Sequence, residues 1–445
     1  GVHLSTWMGD EMRLLLEKHL GIKWEKECDN AEAWKKIENV PKKALWDTHQ
    51  AQKKKALDEI KEQIALQYKQ RGEEPQLLQE TLEKLGHKIF TIGFARRFAL
   101  YKRGALIFKD LKRFVRMAND SQKPVQLLIA GKAHPADQSG KDVIKYIVDL
   151  GRSKELRGRV IFLENYDISV GRLLTQGVDL WLNTPIRPHE ASGTSGMKAG
   201  ANGVINLSIL DGWWEEAYNP EIGWAIDPGI SHTNQEHQDR VDNLAMMDIL
   251  KKEIIPLYYQ QDSDGYSERW EKMMKDSISQ ISSYFNSTRM VKEYYDRFYL
   301  PVAEREVQLY ENDYKDIREL TLWKRRIRAR FSTIGIQNIT VKGIKGDILM
   351  PRTPLQIEIL VDPGKMDPSE LKAELVIGLH GENQSPKNLV AVPFSMKDRE
   401  KGSPLIKFNI TYHVKHSGNY FYGIRIVPFH NLLSSLQETG LAYWG

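Results

Sequence analysis

The sequence predicts an α/β chain in which a doubly wound parallel sheet is followed by an antiparallel β-sandwich. Three observations lead there. From Lys88 onward, short apolar runs alternate with amphipathic helical stretches, the pattern of strand-helix units around a parallel sheet. Past about Phe331, period-two alternation replaces helical spacing. The chain is 445 residues long, room for two or three domains at ~150 residues each, and its 41% hydrophobic share is ordinary for a globular protein.

Residues 1–85 read as a hinge segment and a helical pair. From Ala44 to about Leu85 the chain is charged, with Leu57, Ile60 and Ile64 three and four apart, and Gly72-Glu73-Glu74-Pro75 breaks it into two exposed helices. Residues 86–330 hold the sheet. Its candidate strands are Ile89 to Phe94, Val125 to Ala130, Val160 to Leu163, Leu180 to Leu182 and Val204 to Leu207, all short enough to be buried. Leu106, Ile107, Leu111, Phe114 and Val115 mark one helix between them, and Val143, Ile144, Ile147, Val148 and Leu150 another. After Pro228 the chain turns polar and helical, ending in a tail from Met290 to Tyr310 that contains Pro301. Residues 331–445 form the sandwich, with alternating faces at Leu355/Ile357/Ile359/Val361, Ile406/Phe408/Ile410/Tyr412/Val414 and Tyr420/Tyr422/Ile424/Ile426.

Composition narrows the function classes. Sixty-four basic against 59 acidic residues leave a net charge of +5, too mild over this length to imply nucleic acid or membrane partners, although small anions stay open. Cys28 is the single cysteine, which excludes an internal disulfide framework and a thiolate metal cluster, so no metal is expected. It also fits a reducing, cytoplasmic setting. No run approaches the ~20 apolar residues of a membrane helix, and Gly1-Val2-His3-Leu4 lacks both signal-peptide features and an initiator Met. Gly1 therefore reads as the start of a truncated or processed product.

Four segments follow predicted strands, at the sheet's carboxyl end where open α/β folds bind ligands. Arg96-Arg97-Phe98-Ala99-Leu100-Tyr101-Lys102-Arg103 supplies guanidinium forks and an ammonium for phosphate, or is simply a solvated basic helix start. Glu190-Ala191-Ser192-Gly193-Thr194-Ser195-Gly196-Met197-Lys198 combines a glycine-permitted loop with a lysine that becomes nucleophilic when desolvated; the bland alternative is an ordinary loop and helix cap. Asn206 through Glu215 carries Trp213 and Trp214, faces suited to sugar stacking but more often core. Gly131-Lys132-Ala133-His134-Pro135-Ala136-Asp137 has the same placement.

Taken in order, Ile92-Gly93-Phe94-Ala95-Arg96-Arg97-Phe98, Tyr101-Lys102-Arg103, Ala130-Gly131-Lys132-Ala133-His134-Pro135, Asn165-Tyr166-Asp167, and Glu190 through Lys198 with Asn202-Gly203 resemble the C-terminal half of α-glucan phosphorylases, of the short bacterial and archaeal type. The similarity runs from Val2-His3-Leu4-Ser5-Thr6-Trp7 to Ala442-Tyr443-Trp444. The resemblance implies a two-lobed glycosyltransferase fold of the B type (GT-B), with a Rossmann-like second lobe. It implies pyridoxal 5'-phosphate as cofactor and α-glucan, orthophosphate and glucose 1-phosphate as substrates and product. By the same likeness Lys198 matches the cofactor-anchoring lysine, and Arg97 and Lys102 the clamps on substrate and cofactor phosphate. Arg96 stands where many members have Lys. Tyr101, Glu190, Ser192 and Gly193 match contacts to glucose and phosphate, Thr194 a cofactor-phosphate contact, and Tyr166 a neighbour of the cofactor ring. Asp167 and Gly196 depart from the Arg and Asn of animal-type enzymes.

The family's first lobe would lie upstream of Gly1, so the expected partner is that missing lobe, from the same precursor or a separate subunit, and little activity is expected of this chain alone. A homo-oligomer is compatible with the sequence. Two other readings stand beside this one. A glucan-binding or regulatory module would use the sandwich, the Trp213 and Trp214 surface and the basic Lys324 to Arg330 stretch; a nucleotide-sugar glycosyltransferase would share the same fold.

Overall fold

Apolar runs without polar alternation form six strands: β1 (Phe90–Ala95), β2 (Val125–Ala130), β3 (Val160–Leu163), β4 (Leu180–Asn183), β5 (Ile205–Ser208) and β6 (Gly223–Ala225). Such runs suit strands covered on both faces, and every residue of β1, β2, β4 and β5 is buried. All six run parallel in the order β3-β2-β1-β4-β5-β6. The winding thus reverses between β1 and β4, and a crevice opens beyond their carboxyl ends. The computed structural model describes residues 1–445 apart from 22, 24–26, 227–231, 346–347, 350–353, 381–385, 398–402 and 415–417. Pro228, where the helical region was expected to start, lies outside the described residues; the next helix is Gln235–Ile249.

The chain divides into two units, Gly1–Asp296 and Arg297–Gly445, rather than three parts cut at residues 85 and 330. The first 85 residues are no separate body. Met12, Leu16, Trp34 and Leu45 share a core with Phe90 and Leu127, while Leu57, Ile60 and Ile64 share another with Leu128 and Leu174. The helical pair exists as Lys42–Arg71 and Pro75–Lys84, broken at Gly72 with φ 65°, but its first helix is not exposed. That helix buries His49, Gln52 and Lys53 along with its apolar face, because each meets a partner there: Gln52 bonds the Met12 amide and the Gln176 carbonyl, while His49 and Lys53 face the sheet's edge. Lys53 Nζ donates to Asp179, to Tyr258 Oη at 3.1 Å and to the Ile89 carbonyl at 2.8 Å. Asp179 also accepts from the Thr91 amide at 2.7 Å and faces His49 Nε2 at 3.4 Å. A buried ionic cluster therefore ties this helix to the amino ends of β1 and β4.

The expected helix over Leu106 to Val115 is instead a 3-10 turn at Leu106–Phe108 followed by the helix Leu111–Ala118. Asp110 divides them, its carboxylate accepting the Arg113 amide at 3.1 Å as an N-cap.

In the second unit the helix Leu300–Arg330 buries Leu320, Trp323 and Ile327 in the same core as the strands that follow, which is why the division falls ahead of this helix and not after it. Pro301 sits in the helix's first turn. The basic stretch is engaged: Lys324 pairs with Glu438 and Arg326 with Glu370. After β7 (Gly335–Lys342) and a small ribbon of β8 (Ile344–Lys345) and β9 (Ile348–Leu349) come β10 (Leu355–Asp362), β11 (Leu371–His380), β12 (Pro386–Pro393), β13 (Ser395–Met396), β14 (Ile406–Tyr412), β15 (Tyr420–Pro428) and β16 (Tyr443–Trp444). They form two antiparallel sheets, β13-β14-β10-β7 and β12-β11-β15-β16. Ile357, Ile359 and Phe408 from one meet Leu375, Ile424 and Ile426 from the other in one core. Tyr422 departs from its expected face and is 49% exposed.

Asp179→Ala would leave Lys53 buried without its carboxylate, so it should cost about 3–5 kcal/mol of stability, read as a lowered urea midpoint for the first unit.

Candidate active site at the switch between the first and fourth strands

The loops leaving β1 and β4 face each other across the crevice. Arg96 directly follows β1, and Lys102 closes the 3-10 turn Leu100–Lys102; both are 8% exposed. Glu190 lies seven residues past the end of β4, and its Oε2 accepts from Arg96 Nη2 at 2.6 Å and from Lys102 Nζ. One carboxylate oxygen from the β4 loop thus bridges two buried cations of the β1 loop. Arg96 Nη1 is buried with no hydrogen-bond partner, so part of the guanidinium's donor capacity is left for a further acceptor. Burial pulls the Arg96 guanidinium below its ordinary pKa, and the Glu190 carboxylate opposes that pull.

Tyr101 joins the cluster through Lys102, whose Nζ stands 4.6 Å from its ring centroid. Burial raises the Tyr101 phenol, but contacts from Lys102 and Arg97 outweigh it and set the pKa below its ordinary value. Arg97 itself is exposed.

Two glycines permit this approach. At Gly131, where φ is 151°, an added Cβ would run into the Arg96 carbonyl, so the turn after β2 passes directly beneath the Arg96 backbone. Gly212, at φ 57° and ψ −132°, lies against the other loop: a Cβ there would stand 2.5 Å from the Ser192 carbonyl and 2.7 Å from that of Glu190. The neighbouring Trp213 amide donates to the Ser192 carbonyl at 2.9 Å. Asp211 completes the hold, accepting the Glu190 amide at 2.9 Å on one oxygen and the Gly212 amide at 3.0 Å on the other. Ser192 and Thr194 are exposed on this loop, with Gly193 at φ 82° between them.

Lys198 lies on the helix Ser195–Gly200. Its Nζ sits 3.6 Å from the centroid of the Trp7 ring, a cation-π contact. Among the described residues no carboxylate or hydrogen-bond acceptor reaches it, and burial lowers its pKa from the ordinary 10.5. Trp7 is held by its backbone: its carbonyl accepts from Asn202 Nδ2 at 2.9 Å and from Gln176 Nε2 at 3.1 Å.

Arg96, Lys102, Glu190 and Tyr101 are therefore brought into contact, with Arg97 beside Tyr101. Tyr166 is not joined to them by any contact among the described residues. It follows β3, two strands from β1, is half-buried, and has its phenol pKa raised by burial and by Asp167. Asp167, unlike the Arg of animal-type enzymes, caps the helix Ile168–Gly177 by accepting the Val170 amide at 3.0 Å. Trp213 and Trp214 are 4% and 0% exposed, so they are core and offer no sugar-binding surface. Two contributors carried no assigned role in the sequence reading: Asp211 was visible only as a residue just past a strand, whereas Trp7, 191 positions from Lys198, left no local signal. A 320 Å³ cavity bounded by Leu106, Phe108 and Tyr146 lies against Phe98, Ala99, Leu100 and Arg103 of the 96–103 loop, without touching Lys102 or Glu190.

Fold and site together define a parallel α/β unit with two buried cations bridged by a carboxylate at its switch point and a desolvated amine on a neighbouring helix. The family comparison agrees with that class. Residues 5–222 match the carbohydrate phosphorylase model, and residues 332–445 match the glycogen phosphorylase C-terminal domain. The chain belongs to the carbohydrate phosphorylase family. It is 33% identical to the maltodextrin phosphorylase of Thermococcus litoralis over all of its own length and 51% of that protein's. It is 40% identical to the glycogen phosphorylase of Aquifex aeolicus over 69% of this chain and 44% of the relative. It is 30% identical to that of Mycobacterium tuberculosis over 99% and 50%. The chain spans about half the length of the curated relatives it matches.

Because Glu190 offsets one of the two positive charges it bridges, Glu190→Gln should tighten orthophosphate binding by the isolated chain, on the order of tenfold for a charge removed at contact distance. Calorimetric titration checks this, and a weaker affinity would mean that the carboxylate's main part is to order Arg96 and Lys102.

Proposed function

We infer that this chain is the second lobe of a two-lobed GT-B enzyme which, completed by an amino-terminal lobe, acts as an α-glucan phosphorylase. The reaction is reversible transfer of a terminal α-1,4-linked glucose from glucan to orthophosphate, giving glucose 1-phosphate with the anomeric configuration retained. The observation that carries this reading is the convergence of Arg96, Lys102 and Glu190 across the β1/β4 crevice. A nucleotide-sugar transferase of the same fold would have no need of an unpaired, desolvated lysine. No helix among the described residues is long and apolar enough to cross a membrane; we place the reaction in the cytoplasm, a reducing setting that a chain with a single cysteine, Cys28, fits.

The residues present fit pyridoxal phosphate. Lys198 would tether its aldehyde carbon, since lowering the amine's pKa enlarges the fraction in the nucleophilic free-base form at neutral pH. The buried, partnerless Nη1 of Arg96 suits a phosphate oxygen, with the exposed Thr194 hydroxyl as a further donor and Tyr166 assigned to the ring. When bound, the cofactor supplies a phosphate group that exchanges a proton with the substrate phosphate. The chain's own part is to hold charge and exclude water. Arg97 and Lys102 clamp phosphate, and Glu190, Tyr101, Ser192 and the Gly193 backbone orient the glucose.

A charge count supports the need for a second lobe. Arg96, Arg97 and Lys102 carry three positive charges, Glu190 removes one, and the remaining two balance a single phosphate of about −1.5 to −2. Holding two phosphates against each other requires further cations or a shared proton, so the isolated chain is expected to bind the cofactor but to turn over little glucan.

Incubation with pyridoxal phosphate, borohydride reduction and peptide mapping should place the pyridoxyl group on Lys198, and Lys198→Ala should abolish it. Labelling should rise with pH as the amine loses its proton, with a midpoint below the ordinary 10.5. An adduct spread evenly over surface lysines would sink the assignment.

A further inference from the structure

Arg103 follows Lys102 yet takes no part in the Glu190 contact. It is 8% exposed, and its backbone sits in the left-handed region at φ 49°, which a side-chain-bearing residue adopts only when its surroundings hold it there. What holds it is its guanidinium. Nε donates to the Thr184 carbonyl at 2.9 Å and Nη2 to the Pro185 carbonyl at 2.7 Å. Nη1 reaches Asp239 at 2.9 Å and Asp242 at 2.6 Å, both on the helix Gln235–Ile249.

The latch is returned from the other side. The Thr184 hydroxyl hydrogen-bonds the carbonyls of both Lys102 and Arg103 at 3.2 Å, and the Ile186 amide donates to the Tyr101 carbonyl at 2.7 Å. Residues 101–103 are thereby fastened to residues 184–186, the start of the segment that runs on to Glu190. With two carboxylates on it, the Arg103 charge is more than offset locally and adds no attraction for an anion in the crevice.

We propose that Arg103 is a positioning residue of the anion site: its guanidinium sets the spacing between the loop that carries Arg96 and Lys102 and the loop that carries Glu190, without touching the bound phosphate. This rests on reading the crevice as a phosphate site. Lysine is no substitute, because a single nitrogen cannot serve the Thr184 and Pro185 carbonyls together with Asp239 and Asp242, as three nitrogens of a planar fork do. The position thus depends on geometry more than on charge.

The test uses the whole chain and orthophosphate as the probe, with affinity read by calorimetry and folding by circular dichroism and thermal melting. Arg103→Lys should fold and weaken orthophosphate about tenfold or more, while in a Lys102→Gln background the same substitution should change affinity less than about twofold, the coupling expected of residues acting as one unit. Unchanged affinity in Arg103→Lys would mean that charge alone matters. Equal losses in both backgrounds would mean general destabilisation. Either result overturns the proposal. Should Arg103→Lys fail to fold, Asp239→Asn, which leaves Asp242 in place, should give a smaller loss with the same dependence on Lys102, and no loss would overturn it. A parent chain that binds neither orthophosphate nor pyridoxal phosphate would overturn the reading of the crevice and this proposal with it; a parent that binds, beside an unaltered Arg103→Lys, would overturn the proposal alone.

Discussion

Two buried cations on one loop repel each other unless an anion stands between them, and in this chain the Glu190 carboxylate, brought in by a second loop, is that anion. At an effective dielectric near 20, unit charges 4 Å apart interact by about 4 kcal/mol, so the Arg96–Glu190–Lys102 arrangement governs where both loops rest. Much of the first unit is arranged to make it available. The strand order sets β1 beside β4, Gly131 lets the turn after β2 pass beneath Arg96, and Gly212 with Asp211 holds the Glu190 backbone from the β5 side. Under the proposed function, the same carboxylate is also what an incoming phosphate would have to compete with. Ligand-free order and ligand affinity therefore pull in opposite directions at one side chain.

The parallel sheet was legible because its strands are continuous apolar runs between helical stretches, a signal that needs no knowledge of distant partners. β2 and β3 coincide with the runs at Val125 to Ala130 and Val160 to Leu163, and β10 buries Leu355, Ile357, Ile359 and Val361 as their alternation requires. The basic loop and the Glu190 loop were legible for a related reason: chemistry-bearing residues just past strand ends collect at one edge of a parallel sheet. Contact between these loops is a separate matter, decided by strand order.

What escaped the sequence depends on partners far along the chain. Lys53 and His49 look like the solvated side of a surface helix until Asp179, more than a hundred residues later, is seen to meet them. The helix Leu300–Arg330 looks like a tail of the first unit until Trp323 and Ile327 are found in the core of the second. Trp7 has no neighbour in sequence that hints at Lys198. Trp213 and Trp214 show the converse, since chemistry that suits sugar stacking is overruled by complete burial, with Trp214 Nε1 satisfied by the Trp224 carbonyl at 3.3 Å.

The placement of Trp7 and Lys53 limits how this polypeptide can be pared down. A version begun at Lys88, just ahead of β1, would keep every strand and every loop cation. It would still strip the indole from beneath the Lys198 amine and strand Asp179 in an uncovered apolar wall. The smallest self-sufficient piece of this lobe is thus larger than its sheet and must include the amino-terminal helices.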